Sequence, residues 1–143
     1  GHLYMDDGQT FAYRDDQAFL ARKFTLTRDG PGHLRLASTS LTGRDIHTSA
    51  SSTALQVPGN AYEQETSSVR VERIIVYGLP EVHRIIARDA HGHETSLSFT
   101  YTSGTSRSPT ASDASARLAS RLEIRDPRVL IGQDWSILME IAP

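Results

Sequence analysis

Trp135-Ser136-Ile137-Leu138-Met139-Glu140-Ile141 sets Trp135, Ile137, Met139 and Ile141 on one parity of the chain. Successive side chains of a β-strand point to opposite faces, so this period of two describes a half-buried strand with Trp135 inside. The rest of the sequence repeats the pattern. Leu97, Phe99 and Tyr101 alternate within 94–101, Val82, Ile85 and Ile86 mark 81–88, and Leu34 and Leu36 point inward from 33–40. Residues 19–27 place Phe24 and Leu26 on one face, and Arg28-Asp29-Gly30-Pro31-Gly32 then turns the chain into 33–40 as a hairpin.

The stretch 69–77 is also strand-like. Val69 and Val71 share one parity and Ile74 and Val76 the other, which places a β-bulge near Arg73. Residues 118–124 and 129–131 read as further strands, separated by Asp126-Pro127, and Leu3-Tyr4-Met5 as a short one ended by the turn cluster Asp6-Asp7-Gly8. Phe11-Ala12-Tyr13 alternates before the polar, turn-like 14–17. Two stretches carry no period. Residues 41–66 read as a loop with at most one short strand at 54–57. Of the 14 residues in 102–115, 8 are Ser or Thr, a composition too poor in buriable side chains to offset its ordering entropy, so a mobile loop is expected there. About eight evenly spaced strands with short turns and no convincing helix predict an all-β fold, an antiparallel β-sandwich forming one domain over 1–143.

Composition agrees and narrows the function classes. The chain has 143 residues, 38% of them apolar, and a formal charge of -2. That balance gives no electrostatic reason to expect nucleic acid or an anionic membrane as a partner. No apolar run approaches the ~20 residues needed to span a bilayer as a helix. Cysteine is absent, which removes disulfides, thiolate metal sites and cysteine nucleophiles. The sequence opens on Gly1 with strand-like residues at once, as expected of a piece of a longer chain.

Few residues suggest chemistry. Asp6-Asp7 and Asp15-Asp16 have the residue types of a glycosidase carboxylate pair or a calcium site. Neighbours in a strand face opposite ways, however, and the spacing is not that of a calcium loop, so turn chemistry is the expectation. His91-Gly92-His93 resembles a paired metal motif, but its Gly sits where a hairpin should turn and no third ligand is evident. No Gly-x-Ser-x-Gly occurs, Gly30-Pro31-Gly32 is not followed by a phosphate-loop Lys, and Asn60-Ala61-Tyr62 is not a glycosylation acceptor. Tyr4, Tyr13, Tyr62, Tyr77, Tyr101 and Trp135 offer the makings of a sugar-stacking platform, against which core packing is the stronger reading for Phe99, Tyr101 and Trp135. The expectation is no catalytic residue, no cofactor and no metal.

Four motifs in order resemble one family. Gly1-His2-Leu3-Tyr4-Met5-Asp6-Asp7-Gly8-Gln9-Thr10-Phe11-Ala12-Tyr13 is similar to the Gly-x-Leu-Tyr/Phe-x-Asp-Asp-Gly-x-Ser/Thr-Phe-x-Tyr stretch near the C-terminus of glycoside hydrolase family 31 α-glucosidases. Phe19-Leu20-Ala21-Arg22-Lys23-Phe24, Val71-Glu72-Arg73-Ile74-Ile75-Val76 and Ile124-Arg125-Asp126-Pro127 through Asp134-Trp135-Ser136-Ile137 resemble three later stretches of the same family. The second and last point to its endoplasmic-reticulum branch, whose catalytic α subunit works with a β subunit. The resemblance implies a parent that is a retaining α-glucosidase trimming α-1,3-linked glucose from N-glycans in the endoplasmic-reticulum lumen. It places the catalytic carboxylates in an upstream (β/α)8 barrel, so none falls on this chain. The chain itself is then the distal C-terminal β-sandwich, inactive alone, with Asp6, Asp7, Gly8, Arg73 and Trp135 as a structural signature. Two roles follow: a domain that docks on the barrel, or a module binding carbohydrate or the partner subunit. Docking calls for an exposed apolar patch, and sugar binding for exposed aromatics beside polar groups.

Overall fold

A computed structural model describes residues 1–16, 18–41, 66–104 and 119–142. The expected short strand at 54–57 lies outside them, as does nearly all of the expected loop at 102–115. Among the described residues the order is β1 (His2–Met5), α1 (Ala12–Asp15), β2 (Leu20–Arg28), β3 (His33–Ser40), β4 (Arg73–Tyr77), β5 (Val82–Arg88), β6 (Glu94–Ser96), β7 (Phe99–Thr102), β8 (Arg121–Arg125) and β9 (Trp135–Ile141). They form a six-stranded sheet in the order β1-β2-β3-β9-β5-β6 and a three-stranded sheet in the order β4-β8-β7. Every pairing is antiparallel, and one core joins the two layers, which makes the fold an all-β sandwich.

The closing strand lies inside the larger sheet, between β3 and β5, with Leu36 opposite Ile137, Leu34 opposite Met139 and Ile85 also opposite Met139. Ile137 and Met139 are fully buried, as are Leu122 and Ile124 from the facing sheet. Their burial, at about 25 cal/mol per Å² of apolar surface, is the main force holding the layers together. The β2–β3 hairpin forms as expected. Gly30 and Gly32 both take positive φ, which only glycine adopts without strain, and the Gly32 carbonyl receives the Ile141 N–H at 2.8 Å.

Three local readings are corrected. The stretch 11–16 is neither extended nor a simple turn: α1 is a helical turn in which the Phe11 carbonyl accepts from Arg14 and Asp15 and the Ala12 carbonyl from Asp16. Three alternating residues cannot distinguish a strand from such a turn. The single strand expected over 94–101 is two, because the chain changes sheets. The Leu97 N–H still bonds the Ile85 carbonyl at 3.0 Å, while Phe99 already pairs opposite Ile124 in the other sheet. Near Arg73, Val71 and Ile74 both pack on the core with Glu72 and Arg73 exposed between them, so the parity change is real. It is not a one-residue bulge. Arg70 bridges Leu130 and Arg73 pairs Arg125, so two residues on this side face four on the other. The longer side bends at Asp126 and Arg128, whose φ values are 45° and 57°.

Candidate functional site

The signature turn follows directly from β1. The Asp6 carboxylate accepts from the Gly8 N–H at 2.9 Å, and Gly8 takes φ 61°. Asp7 Oδ1 accepts from the N–H groups of Gln9 and Thr10, both at 3.1 Å, and Asp7 Oδ2 from the Thr10 hydroxyl at 2.6 Å. The Thr10 hydroxyl oxygen in turn accepts from the Ala12 N–H at 3.2 Å, which starts α1. The Thr10 hydroxyl first, and its N–H second, hold the Asp7 carboxyl below the usual carboxylate range. Asp7 is therefore an ionised turn brace with three donors on its carboxylate rather than a proton donor.

This turn presents aromatic rings. Tyr4 stacks on Phe19 at 5.4 Å, Phe11 lies 6.3 Å from Tyr13, and the Arg14 guanidinium covers one face of Phe11 at 5.1 Å. Tyr4 is 50% exposed and Phe11 63%. Burial, then the neighbouring Asp6 charge, raises the Tyr4 phenol above its ordinary pKa, so it stays protonated. Two ring pairs thus flank the acidic turn, with Tyr4, Phe11 and Tyr13 exposed.

Trp135 is elsewhere and inside. It is 6% exposed, its ring lies 5.9 Å from that of Phe24, and its indole N–H has no partner among the described residues. The residue before it makes the connection that the sequence does not display. Arg22, 1% exposed on β2, donates to Ser38 Oγ at 3.1 Å, to the carbonyls of Gly132 at 3.4 Å and Gln133 at 2.5 Å, and to Asp134 Oδ1 at 2.7 Å. Asp134 Oδ1 also accepts from the Ser40 N–H at 3.0 Å. Two of the quoted motifs, 112 residues apart at Arg22 and Asp134, are thus one clamp that fixes where β9 begins.

Arg73 belongs to a third constellation, on the outer face of the smaller sheet. Glu123, its side chain 8% exposed, sits among Arg121 at 2.6 Å, Arg125 at 2.8 Å and Arg73 at 3.4 Å. Arg125 first, then Arg121, holds the Glu123 carboxyl below its ordinary value. The signal for this cluster was in the sequence, as Arg, Glu and Arg at alternate positions 121, 123 and 125 share one strand face. Arg22 stands in a quoted motif, but its local pattern, between Ala21 and Lys23, does not mark it as buried.

The acidic pairs do not converge on a common point of chemistry. Asp15 is held by Arg14 at 2.7 Å on the helical turn, and Asp6 and Asp7 are spent on backbone N–H groups. Likewise Asp89 organises its hairpin by accepting from the N–H groups of His91 and His93 at 2.8 and 2.9 Å and pairing with the His93 ring at 3.1 Å. Among the described residues no three His, Asp or Glu side chains gather as a metal site, and no helix is long and apolar enough to cross a membrane.

No protein-family model matches the sequence, and no curated protein matches it. Solved structures do share the fold. The chain is similar to a Tris-bound glucosidase II alpha subunit (TM-score 0.63, 21% identity) and to a Glc1Man2-bound one (TM-score 0.59, 22% identity). It is also similar to an ER glucosidase II heterodimeric complex of a catalytic subunit and the binding domain of a regulatory subunit (TM-score 0.62, 21% identity). In each case 97% of this chain is covered, and it spans only 12–13% of the other chain's length.

Proposed function

We propose that this chain is a non-catalytic C-terminal domain of a retaining α-glucosidase of glycoside hydrolase family 31, of the glucosidase II type. Its role in that reading is to dock on and support the upstream (β/α)8 barrel. The parent would trim α-1,3-linked glucose from N-glycans in the endoplasmic-reticulum lumen, together with a β subunit. Four motifs in family order and a shared fold over 97% of the chain support the parentage. The observation that carries the docking role is the exposure of Tyr4, Phe11 and Tyr13 in two ring pairs around the signature turn, apolar surface of the kind a partner covers. Asp7, built into its own turn, brings no free carboxylate to catalysis.

Serine at Tyr4 and Phe11 tests this in the full-length protein. Docking predicts a lower unfolding midpoint and weaker α-glucosidase activity there, while the double variant of the separate 143-residue chain unfolds as before. An undisturbed full-length enzyme overturns the docking role, and turnover of an aryl α-glucoside by the separate chain overturns its non-catalytic assignment. Carboxylates beside the same rings favour one second reading, a carbohydrate-binding module. Titration of glucosylated oligosaccharide against Tyr4 and Tyr13 resonances separates the two.

A further inference from the structure

A cleft of about 150 Å³ opens where β5 ends and β9 begins, lined by Arg70, Asp89, Arg128, Gln133, Asp134 and Trp135. Arg70 reaches it through its bridge to Leu130. The Val71 N–H bonds the Val129 carbonyl at 3.0 Å and the Ile131 N–H bonds the Val69 carbonyl at 2.9 Å. Arg70 and Leu130 are therefore a non-hydrogen-bonded antiparallel pair, the kind whose side chains stand closest. Leu130 lines the cleft too and, with Ala90, gives it an apolar wall.

The polar groups of this cleft are unevenly engaged. Asp89 holds the His91 and His93 N–H groups and the His93 ring. Both bonds to Asp134 fall on Oδ1, which leaves Oδ2 as an acceptor. Neither the Arg70 nor the Arg128 guanidinium has a hydrogen bond or an ion pair among the described residues. Arg128 is exposed and sits at φ 57°. An arginine there strains the backbone and makes no contact that offsets the strain, a combination found where a side chain serves binding. Trp135 adds another unengaged group: its indole N–H is the one buried side-chain polar atom without a partner among the described residues.

We infer that this cleft is a carbohydrate subsite that takes one neutral pyranose ring. Charge decides the ligand class. Two guanidinium and two carboxyl groups cancel, so a free anion meets Asp89 and Asp134 along with Arg70 and Arg128 and gains little. A ring of hydroxyls uses both kinds of group, because each hydroxyl donates as well as accepts. The planar guanidinium forks of Arg70 and Arg128 donate paired N–H bonds to neighbouring ring oxygens. Asp134 Oδ2 and the Gln133 amide accept from the hydroxyls, and the C–H face of the ring lies on the wall of Ala90 and Leu130. The cleft is too small for a drug-sized ligand and suits one ring. It includes none of the rings of the signature turn, and the inference stands whether or not the parent is a glycosidase.

Titration of methyl α-glucoside and methyl α-mannoside into the 143-residue chain tests this, read at the indole N–H resonance of Trp135, the only Trp. At least one glycoside should give a saturable shift, with a Kd of about 1–10 mM for so small a contact. Arg128→Asn relieves the strained φ and so keeps the fold, yet should weaken binding at least about tenfold. Arg70→Met keeps the packed stem, loses the fork and should do the same. No saturable shift with either glycoside, or unchanged binding in either variant, overturns the proposal. A response to phosphate or acetate in place of the glycosides overturns the ligand class. Movement of the Tyr4 and Tyr13 resonances with that of Trp135 unmoved puts sugar at the signature turn and overturns the site. None of these readouts uses α-glucosidase activity, so the docking role stands or falls separately.

Discussion

Replacing Arg22 with alanine is the sharpest test of what holds β9 in place. The guanidinium is buried and serves four acceptors on two segments: Ser38 on β3, and the Gly132 and Gln133 carbonyls and Asp134 in the loop before β9. Breaking a buried charged cluster by removing one partner costs about 3–5 kcal/mol. The Asp134 side chain is 61% exposed, so water can replace the guanidinium on that carboxylate, and the 3.4 Å contact to Gly132 is weak. Both push the expected cost of Arg22→Ala to the lower end, ~3 kcal/mol. Against a total stability of ~5–15 kcal/mol this is a large share, and for a chain of this size it lowers the thermal midpoint by roughly 10 °C. Urea unfolding followed by the fluorescence of Trp135, adjacent to the clamp and the only Trp in the chain, measures it. Arg22→Met retains the packed stem and should cost less than the alanine. A double-mutant cycle of Arg22→Met with Asp134→Asn should show a coupling of about 1–2 kcal/mol. A loss below ~1 kcal/mol for Arg22→Ala, or no coupling in the cycle, would refute the clamp as the element that positions β9.

Trp135→Ala should unfold the domain or cost about 3–5 kcal/mol, whereas Trp135→Phe should be far milder, because the indole N–H it removes has no partner among the described residues. The native emission should be blue-shifted and poorly quenched by iodide; a water-exposed spectrum that shifts with oligosaccharide would contradict the burial. The Glu123 carboxyl has a folded pKa below its unfolded one, so its stabilisation is present above the unfolded value near 4.3 and is lost as pH falls through the folded value. Glu123→Gln should flatten the part of the acid-unfolding curve that lies below the ordinary glutamate range, seen by circular dichroism, and an unchanged curve would argue against the arginine cluster as its cause. Arg128, at φ 57°, should tolerate asparagine with a gain of up to about 1 kcal/mol, since Asn enters the left-handed region more readily; a destabilised Arg128→Asn would show that the arginine side chain itself matters.

The sequence revealed much of the fold because alternation records which side of a strand faces the core, and nothing more. Where the chain changes sheets at Leu97 and Phe99, both residues face the same core from opposite layers, so the alternation runs on unbroken and one strand is read where there are two. At Glu72 and Arg73 the converse holds: parity does change, and the sequence shows it, but the compensating residues lie on the partner at Asp126 and Arg128, beyond the reach of a local pattern. The same limit applies to the clamp. Arg22 and Asp134 appear in two motifs as isolated charges, and only the register of β2, β3 and β9 brings them to 2.7 Å. The register itself is set by apolar pairs such as Leu36 with Ile137, so the core aligns the strands first and the buried arginine then penalises any other alignment. A one-residue slip of β9 would turn Ile137 and Met139 outward and also withdraw the Gln133 and Asp134 acceptors from Arg22. Burial and charge thus exclude the same error independently, and this is how two motifs without catalytic chemistry come to define one strand position.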